Sequence, residues 1–160
     1  MLDTGSDTQT GGRIKRVAEY IGTEPFMLTY GDGLSNINIS ALVEYHIAQG
    51  KCVTLTAVRP PARFGQMVIN EGQVEQFEEK PLIGADWING GFFVLQPEVI
   101  NYLPDDQTVW EREPMERLAT DKQLAAYQHN DFWHCMDTFR DVHVLEKLWA
   151  EGNASWKIWR

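Results

Sequence analysis

Basic residues are scarce in this sequence. Its 160 residues include 14 Lys and Arg against 23 Asp and Glu, which gives a formal net charge of -9. Because the phosphate backbone of DNA or RNA requires a basic protein face, we expect no nucleic acid polymer as a partner, although a single nucleotide needs only a few local donors. Long apolar runs and a signal-peptide pattern are also missing, so we expect no membrane partner.

Cysteine is nearly absent as well. The two thiols, Cys52 and Cys135, match no metal-binding or redox spacing, which favours two reduced cysteines in a cytoplasmic protein. The 43% apolar content is enough for one core, and the chain carries no internal repeat or linker. We therefore expect a single domain over residues 1–160.

A strand-like run at 26–30 leads into Gly31-Asp32-Gly33. Aromatic and β-branched residues suit a buried strand, and glycines suit a turn that something else approaches. At the carboxyl end of a parallel strand, Asp32 is a natural contact for a hard cation or for ribose hydroxyls. A plain Asp-Gly turn is the alternative interpretation.

The order of the elements predicts an α/β fold. A strand at 26–30, a helix carrying Ile39–Ile47 and a strand at 52–58 form a βαβ unit, which implies a mostly parallel sheet. The remaining predicted elements are a helix at 14–21 capped by Thr10, a hairpin around Glu71-Gly72, strands at 88–95 and 124–128, helices opening at Pro97 and Pro114, an irregular loop at 129–138 and a last helix.

Several polar residues have two interpretations each. Arg13 belongs either to a solvated helix face or to a phosphate site, where backbone N–H groups of the helix N-terminus would point the same way. Lys80 is either a solvated strand end or a functional cation. Asp137 stands where a helix cap is expected, which is its simplest role.

Six motifs together carry a family resemblance. In chain order they are Thr-x-Thr-Gly-Gly-Arg, Tyr-Gly-Asp-Gly, Arg-Phe-Gly, Glu-Lys-Pro, Ile-Asn-Gly-Gly-Phe-Phe-Val and Phe-Trp-x-x-Met-Asp-Thr. In this order they resemble the sugar-1-phosphate nucleotidyltransferases over residues 3–159. The resemblance implies a Rossmann-like nucleotidyltransferase fold with a mixed, mostly parallel sheet.

The resemblance also implies a reaction and its participants. A nucleotidyl group passes from a nucleoside triphosphate to a sugar 1-phosphate, and pyrophosphate leaves. The implied substrates are CTP and glucose 1-phosphate, with UTP or dTTP left open as the nucleotide. Mg²⁺ as the cofactor, a homo-oligomeric assembly and a place in dideoxysugar and O-antigen synthesis are implied in the same way.

Site residues follow from the resemblance position by position. Asp32 and Asp137 correspond to two magnesium-binding aspartates with a catalytic role, and Lys80 corresponds to a catalytic residue that meets the sugar phosphate. The other implied contacts are Thr8, Arg13 and Gly31 for the nucleotide or substrate, Glu79 for sugar hydroxyls, and Asn89 and Gly90 for the edge of the sugar pocket. Arg63 lies in a loop of the same site, with no assigned role.

One departure from the family pattern stands out. Family members begin with a strand, a glycine-rich loop Gly-Gly-x-Gly-Thr-Arg and a Lys-Pro element, and this sequence contains no match to them. We therefore expect an N-terminally truncated domain that is inactive alone. The rival interpretation is a non-catalytic, oligomerising remnant whose interface includes Trp149, Trp156 and Trp159.

Overall fold

The chain forms two compact units. A computed structural model describes residues 1–60, 64–79 and 86–159. The first unit comprises Met1–Tyr30, Asn38–Thr56 and Gly91–Tyr127, and the second comprises Gly31–Ile37, Ala57–Gly90 and Gln128–Arg160. The expectation of a single domain stays a prediction.

The described residues form a mixed α/β set of elements, as predicted. The helices are α1 (Thr10–Arg16), α2 (Ala18–Ile21), α3 (Ile39–Gln49), a 3₁₀ helix (Pro97–Tyr102), α4 (Glu113–Thr120) and α5 (Phe139–Ala150). The strands are β1 (Phe26–Thr29), β2 (Gly33–Ser35), β3 (Val53–Val58), β4 (Gln66–Asn70), β5 (Gln73–Glu78), β6 (Ile88–Leu95), β7 (Leu124–His129) and β8 (Trp133–Cys135).

A four-stranded sheet in the order β1-β6-β3-β7 organises the first unit. β1 pairs with β6 in antiparallel register, and the Gln96 N–H donates to the Cys52 carbonyl at the junction of β6 and β3 (2.8 Å). The Val53 N–H donates to the Gln123 carbonyl, which joins the beginnings of β3 and β7 (3.0 Å). β1, β3 and β7 thus run in one direction and β6 in the other, which confirms the predicted mixed sheet.

β6 lies between the two strands of the predicted βαβ unit, and its carboxyl half is buried. Phe93, Val94 and Leu95 are each at most 1% exposed. Phe93 meets Tyr30 and Trp110 edge to face, with ring centroids 5.6 and 5.8 Å apart, a geometry that aromatic pairs prefer. The core of the unit therefore forms around β6.

α3 contributes a buried histidine to the first unit. The Asn38 side chain caps the helix by accepting from the Ala41 N–H (3.0 Å). His46 is fully buried, with Nδ1 2.9 Å from Thr54 Oγ1 and Nε2 2.9 Å from the Gln96 amide nitrogen. Because an amide nitrogen only donates, Nε2 accepts and the ring is neutral. Burial lowers the pKa of His46 accordingly.

The predicted first helix differs from the observed one in two ways. It divides into α1 and α2 at Val17, and the proposed Thr10 cap is wrong because α1 already begins at Thr10. The Thr10 hydroxyl instead accepts from the Trp110 N–H (2.9 Å) and donates to Glu111 (2.8 Å). These long-range bonds tie the helix to the 105–111 segment and outcompete the local cap.

The second unit contains a ladder that the sequence analysis missed. β2 pairs with β8 in antiparallel register, with Gly33 opposite Cys135 and Ser35 opposite Trp133. The interpretation of residues 129–138 as irregular is therefore wrong at β8. The predicted hairpin is confirmed: β4 and β5 pair across Glu71 and Gly72, whose φ values are 47° and 83°.

Candidate active site

The β2–β8 ladder brings Asp32 and Asp137 to the same end of the second unit. Asp32 immediately precedes β2, and Asp137 follows β8 with only Met136 between them. The Met136 N–H donates to the Asp32 carbonyl at 2.8 Å, which extends the ladder by one step. Two carboxylates that are 105 positions apart in the chain therefore lie on neighbouring backbone segments.

Asp137 does not cap α5. Thr138 is the cap: its hydroxyl accepts from the Asp141 N–H (3.3 Å), and the Asp141 carboxylate accepts from the Thr138 N–H (2.9 Å). This reciprocal arrangement is a capping box, which satisfies the helix terminus without Asp137. The prediction that Asp137 caps this helix is therefore wrong.

The pair of aspartates fits a magnesium ion held jointly with a substrate. Both residues are exposed, and the Cys135 thiol donates to Asp137 Oδ2 (3.2 Å), which restrains that carboxylate. Mg²⁺ is usually bound by one or two carboxylates together with waters and substrate phosphates. Within the described parts of the chain, no group of three or more His, Cys, Asp or Glu residues could hold a metal ion by itself.

The beginning of β6 carries the predicted edge of the sugar pocket. Gly90 is buried and Asn89 is half-buried. The indole Nε1–H of Trp133 donates to the Gly90 carbonyl at 2.8 Å. The sequence analysis did not single out Trp133, although its place four residues before Asp137, in the last family motif, was a usable signal.

Glu79 lies at the base of the hairpin. The pairing of Gln66 with Glu78 aligns Gly65 with Glu79, and a Cβ atom built on Gly65 would lie 2.9 Å from Glu79 Oε2. Glu79 is exposed, as its predicted role in binding sugar hydroxyls requires. Lys80 and Arg63 fall outside the residues that the structure describes.

Gly31 borders open space. A Cβ atom built on it would meet nothing within 4 Å, and its φ lies outside the left-handed region. Neither packing nor backbone conformation therefore requires glycine at this position. Its predicted role beside a substrate stays a prediction.

Thr8 and Arg13 line an open cleft in the first unit. The cleft has a volume of about 600 Å³ and is lined by Ser6, Asp7, Thr8, Gln9, Thr10, Arg13 and Gln107. Thr8 is buried, and the exposed Arg13 donates to the Thr4 hydroxyl at 2.6 Å. The cleft is polar enough for a nucleotide or a phosphate group.

The sequence analysis expected backbone N–H groups at the beginning of α1 to face a phosphate, but three of these groups already have partners. The N–H groups of Gln9, Gly11 and Gly12 donate to carbonyls of Asp106 and Thr108, at 2.9 to 3.2 Å. They are consequently committed to the 105–111 segment. Any anion in the cleft would contact side chains such as Arg13 and not these three amides.

A histidine supports the ladder from its far end. His129 Nε2 lies 3.0 Å from Asn36 Oδ1 and 3.2 Å from the Phe132 carbonyl. Both oxygens are acceptors, so Nε2 carries the proton. The Asn36 amide and the Phe132 N–H lower the pKa of Asp131 by hydrogen bonding to it. His129 therefore has a structural role that the sequence analysis did not predict.

Comparison with solved structures shows a likeness of fold. The chain is similar to HddC from Yersinia pseudotuberculosis, with a TM-score of 0.62 at 20% identity over 88% of this chain and 62% of that one. At this identity the likeness concerns the fold alone.

Sequence comparison then defines the family. Residues 4–155 match the nucleotidyl transferase family model, and the chain belongs to this family. It is 51% identical, over 99% of its length, to the glucose-1-phosphate cytidylyltransferase of Salmonella typhimurium. It is 45% identical, over the same share, to the "Probable glucose-1-phosphate cytidylyltransferase" of Bacillus subtilis. The chain spans 62% of the length of each of these two relatives.

Proposed function

We propose that this chain carries the metal-binding and sugar-phosphate parts of a glucose-1-phosphate cytidylyltransferase. The enzyme would convert CTP and glucose 1-phosphate to CDP-glucose and pyrophosphate in the cytoplasm, for dideoxysugar and O-antigen synthesis. The observation that carries the proposal is the pairing of Asp32 and Asp137 at the end of the β2–β8 ladder, with Thr138 capping α5. The name of the 51% identical Salmonella relative supports CTP and glucose 1-phosphate as the substrates.

The proposed reaction needs no nucleophile from the protein. An oxygen of the sugar phosphate attacks the α-phosphorus of CTP in line, the new P–O bond forms, and the bond to pyrophosphate breaks. Both reactants are anions, so holding them in position and offsetting their charge are the main tasks of the site. Mg²⁺, when bound, would supply charge neutralisation between the two phosphates.

The residues of the second unit divide these tasks. Asp32 and Asp137 would hold the metal ion through their exposed carboxylates. Asn89 and Glu79 would orient the hexose by hydrogen bonding to its hydroxyls, and the missing side chain of Gly90 would leave room for the ring. Lys80, which lies outside the described residues, would meet the sugar phosphate.

The first unit would contact the nucleotide. Thr8 and Arg13 line the cleft of about 600 Å³, and the Arg13 guanidinium is the natural partner for a phosphate oxygen there. To serve in this way Arg13 would exchange its contact with the Thr4 hydroxyl for one with the nucleotide.

The nucleotide assignment is tested by turnover. The chain is assayed both as it stands and in a chimera that adds the parts of the Salmonella relative outside the match. Pyrophosphate release is measured with glucose 1-phosphate, Mg²⁺ and either CTP, UTP or dTTP. We expect turnover with CTP in the chimera and none in the chain as it stands. A preference for dTTP or UTP would contradict the proposed substrate.

An oligomerising role is a second proposal, and the exposed aromatic residues of the second unit support it. Trp156 is buried, and its ring makes stacked pairs with those of Phe132 and Trp149, at centroid distances of 5.3 and 6.5 Å. Trp149 and Trp159 remain 51% and 57% exposed. Aromatic residues are enriched at protein interfaces, so sedimentation at several concentrations tests this idea, and a monomer throughout would contradict it.

The part of the chain that the structure describes contains no helix with the length and apolarity needed to cross a membrane.

A further inference from the structure

A single indole hydrogen bond joins the two halves of the candidate sugar-phosphate site. Trp133 lies in β8, whose ladder with β2 continues to the Asp32 carbonyl through the Met136 N–H. The same residue donates its Nε1–H to the Gly90 carbonyl at 2.8 Å. Gly90 follows Asn89 directly. The ladder that bears both aspartates is thus bonded to the segment predicted to border the hexose.

The hydrogen bond passes close to the backbone of Gly33. A Cβ atom built on Gly33 would lie 3.8 Å from both the Gly90 oxygen and Trp133 Nε1. Trp133 is half-buried and Gly90 is buried. Both separations are ordinary van der Waals distances, so the indole reaches the Gly90 carbonyl alongside Gly33.

We propose that Trp133 is a positioning residue that holds Asn89 and Gly90 in register with Asp32 and Asp137. The inference rests on the proposed function and deepens it. In-line attack requires the sugar phosphate and the metal-bound nucleotide to be aligned, and a displacement of about 1 Å costs on the order of 100-fold in rate. Trp133 acts through Gly90 and contacts no reacting atom.

The test uses the chain as it stands and two matched tryptophan variants. Trp133→Phe keeps an aromatic ring but removes the N–H donor. Trp156→Phe removes the same volume from a second tryptophan of the same unit, which is 8% exposed and stacks on Phe132, and it leaves the Gly90 bond intact. Dissociation constants for glucose 1-phosphate and for inorganic phosphate are measured by calorimetry with Mg²⁺ present.

We expect Trp133→Phe to weaken glucose 1-phosphate binding by about threefold to tenfold, the range of one hydrogen bond. Binding of inorganic phosphate should not change, because phosphate does not contact the hexose pocket. If Trp133 had a purely structural role, Trp133→Phe would weaken the binding of both ligands, and this result would overturn the inference. Equal glucose 1-phosphate affinity in Trp133→Phe and Trp156→Phe would also overturn it.

Failure of the proposed function gives a different result. If the unchanged chain binds no glucose 1-phosphate, the sugar-phosphate site itself is refuted, and the role of Trp133 with it. If the unchanged chain binds the sugar phosphate and only the Trp133→Phe effect is missing, the proposed function stands and the positioning role does not.

Discussion

Replacement by alanine should destabilise this chain at Gly12 but leave its stability nearly unchanged at Gly31. A Cβ atom on Gly12 would lie 2.5 Å from the Asp106 carbonyl oxygen and 2.6 Å from its Cα. Both are backbone atoms, which cannot rotate away as a side chain would. A Cβ atom on Gly31 would meet nothing within 4 Å. Gly12 is therefore required by packing, whereas Gly31 is not.

The magnitudes follow from these distances. Gly12→Ala would force the Asp106 backbone away and strain the bonds from Gln9 to Asp106 (2.9 Å) and from Gly12 to Thr108 (3.2 Å). Overpacking costs about 1–3 kcal/mol, and each lost hydrogen bond about 1 kcal/mol. Alanine in a helix returns about 1 kcal/mol. The net loss of unfolding free energy should be about 2–4 kcal/mol, against a change within about 0.5 kcal/mol for Gly31→Ala.

The assay is urea unfolding of the three proteins, followed by calorimetric titration with CTP and Mg²⁺. Gly31→Ala should unfold like the unchanged chain but bind the nucleotide or substrate less tightly, because its methyl group would occupy the open space beside Asp32. The reasoning is refuted if Gly12→Ala is as stable as the unchanged chain. It is equally refuted if Gly31→Ala is strongly destabilised.

Three further predictions concern the cap, a buried histidine and the thiols. Thr138→Ala should lower the unfolding free energy by about 1 kcal/mol, whereas Asp137→Asn should leave it nearly unchanged. A large drop in the melting temperature of Asp137→Asn would contradict this and indicate that Asp137 caps the helix. Because burial lowers the pKa of His46, this side chain binds a proton more readily in the unfolded state, so stability should fall as the pH drops below about 6.5. In urea titrations at several pH values, His46→Gln should remove part of this fall. An unchanged pH profile in His46→Gln would contradict the prediction. Burial raises the pKa of Cys52 to about 11, so mass spectrometry after iodoacetamide at pH 8 should find the half-buried Cys135 labelled first, and the reverse order would contradict it.

The longer elements could be predicted from sequence because their signals are local. β3 and β6 are apolar runs rich in β-branched and aromatic residues, and α3 has a capping asparagine and a glycine stop with φ of 58° at Gly50. The turn at Glu71 and Gly72 is recognisable from two residues. Each of these features depends on neighbours a few positions away.

The candidate site could be predicted only in part, because its geometry depends on contacts between distant segments. β2 and β8 have three residues each and no apolar alternation, and they exist because they pair across about 100 positions of chain. The capping box at Thr138 was also readable from Asp141 at the right spacing, yet Asp137 was the cap that the sequence analysis expected. Motif order indicated Asp32 and Asp137 as a pair, but only the ladder explains how they meet.

The most direct test of the account is turnover in the aspartate variants. CDP-glucose formation is measured for the chimera with the Salmonella relative, unchanged and as Asp32→Asn, Asp137→Asn and the double variant. If the two carboxylates hold one metal ion, each single change should reduce kcat on the order of 100-fold or more, and the double variant should be little worse than either single. Normal turnover in Asp137→Asn, or losses that multiply in the double variant, would contradict a shared metal site.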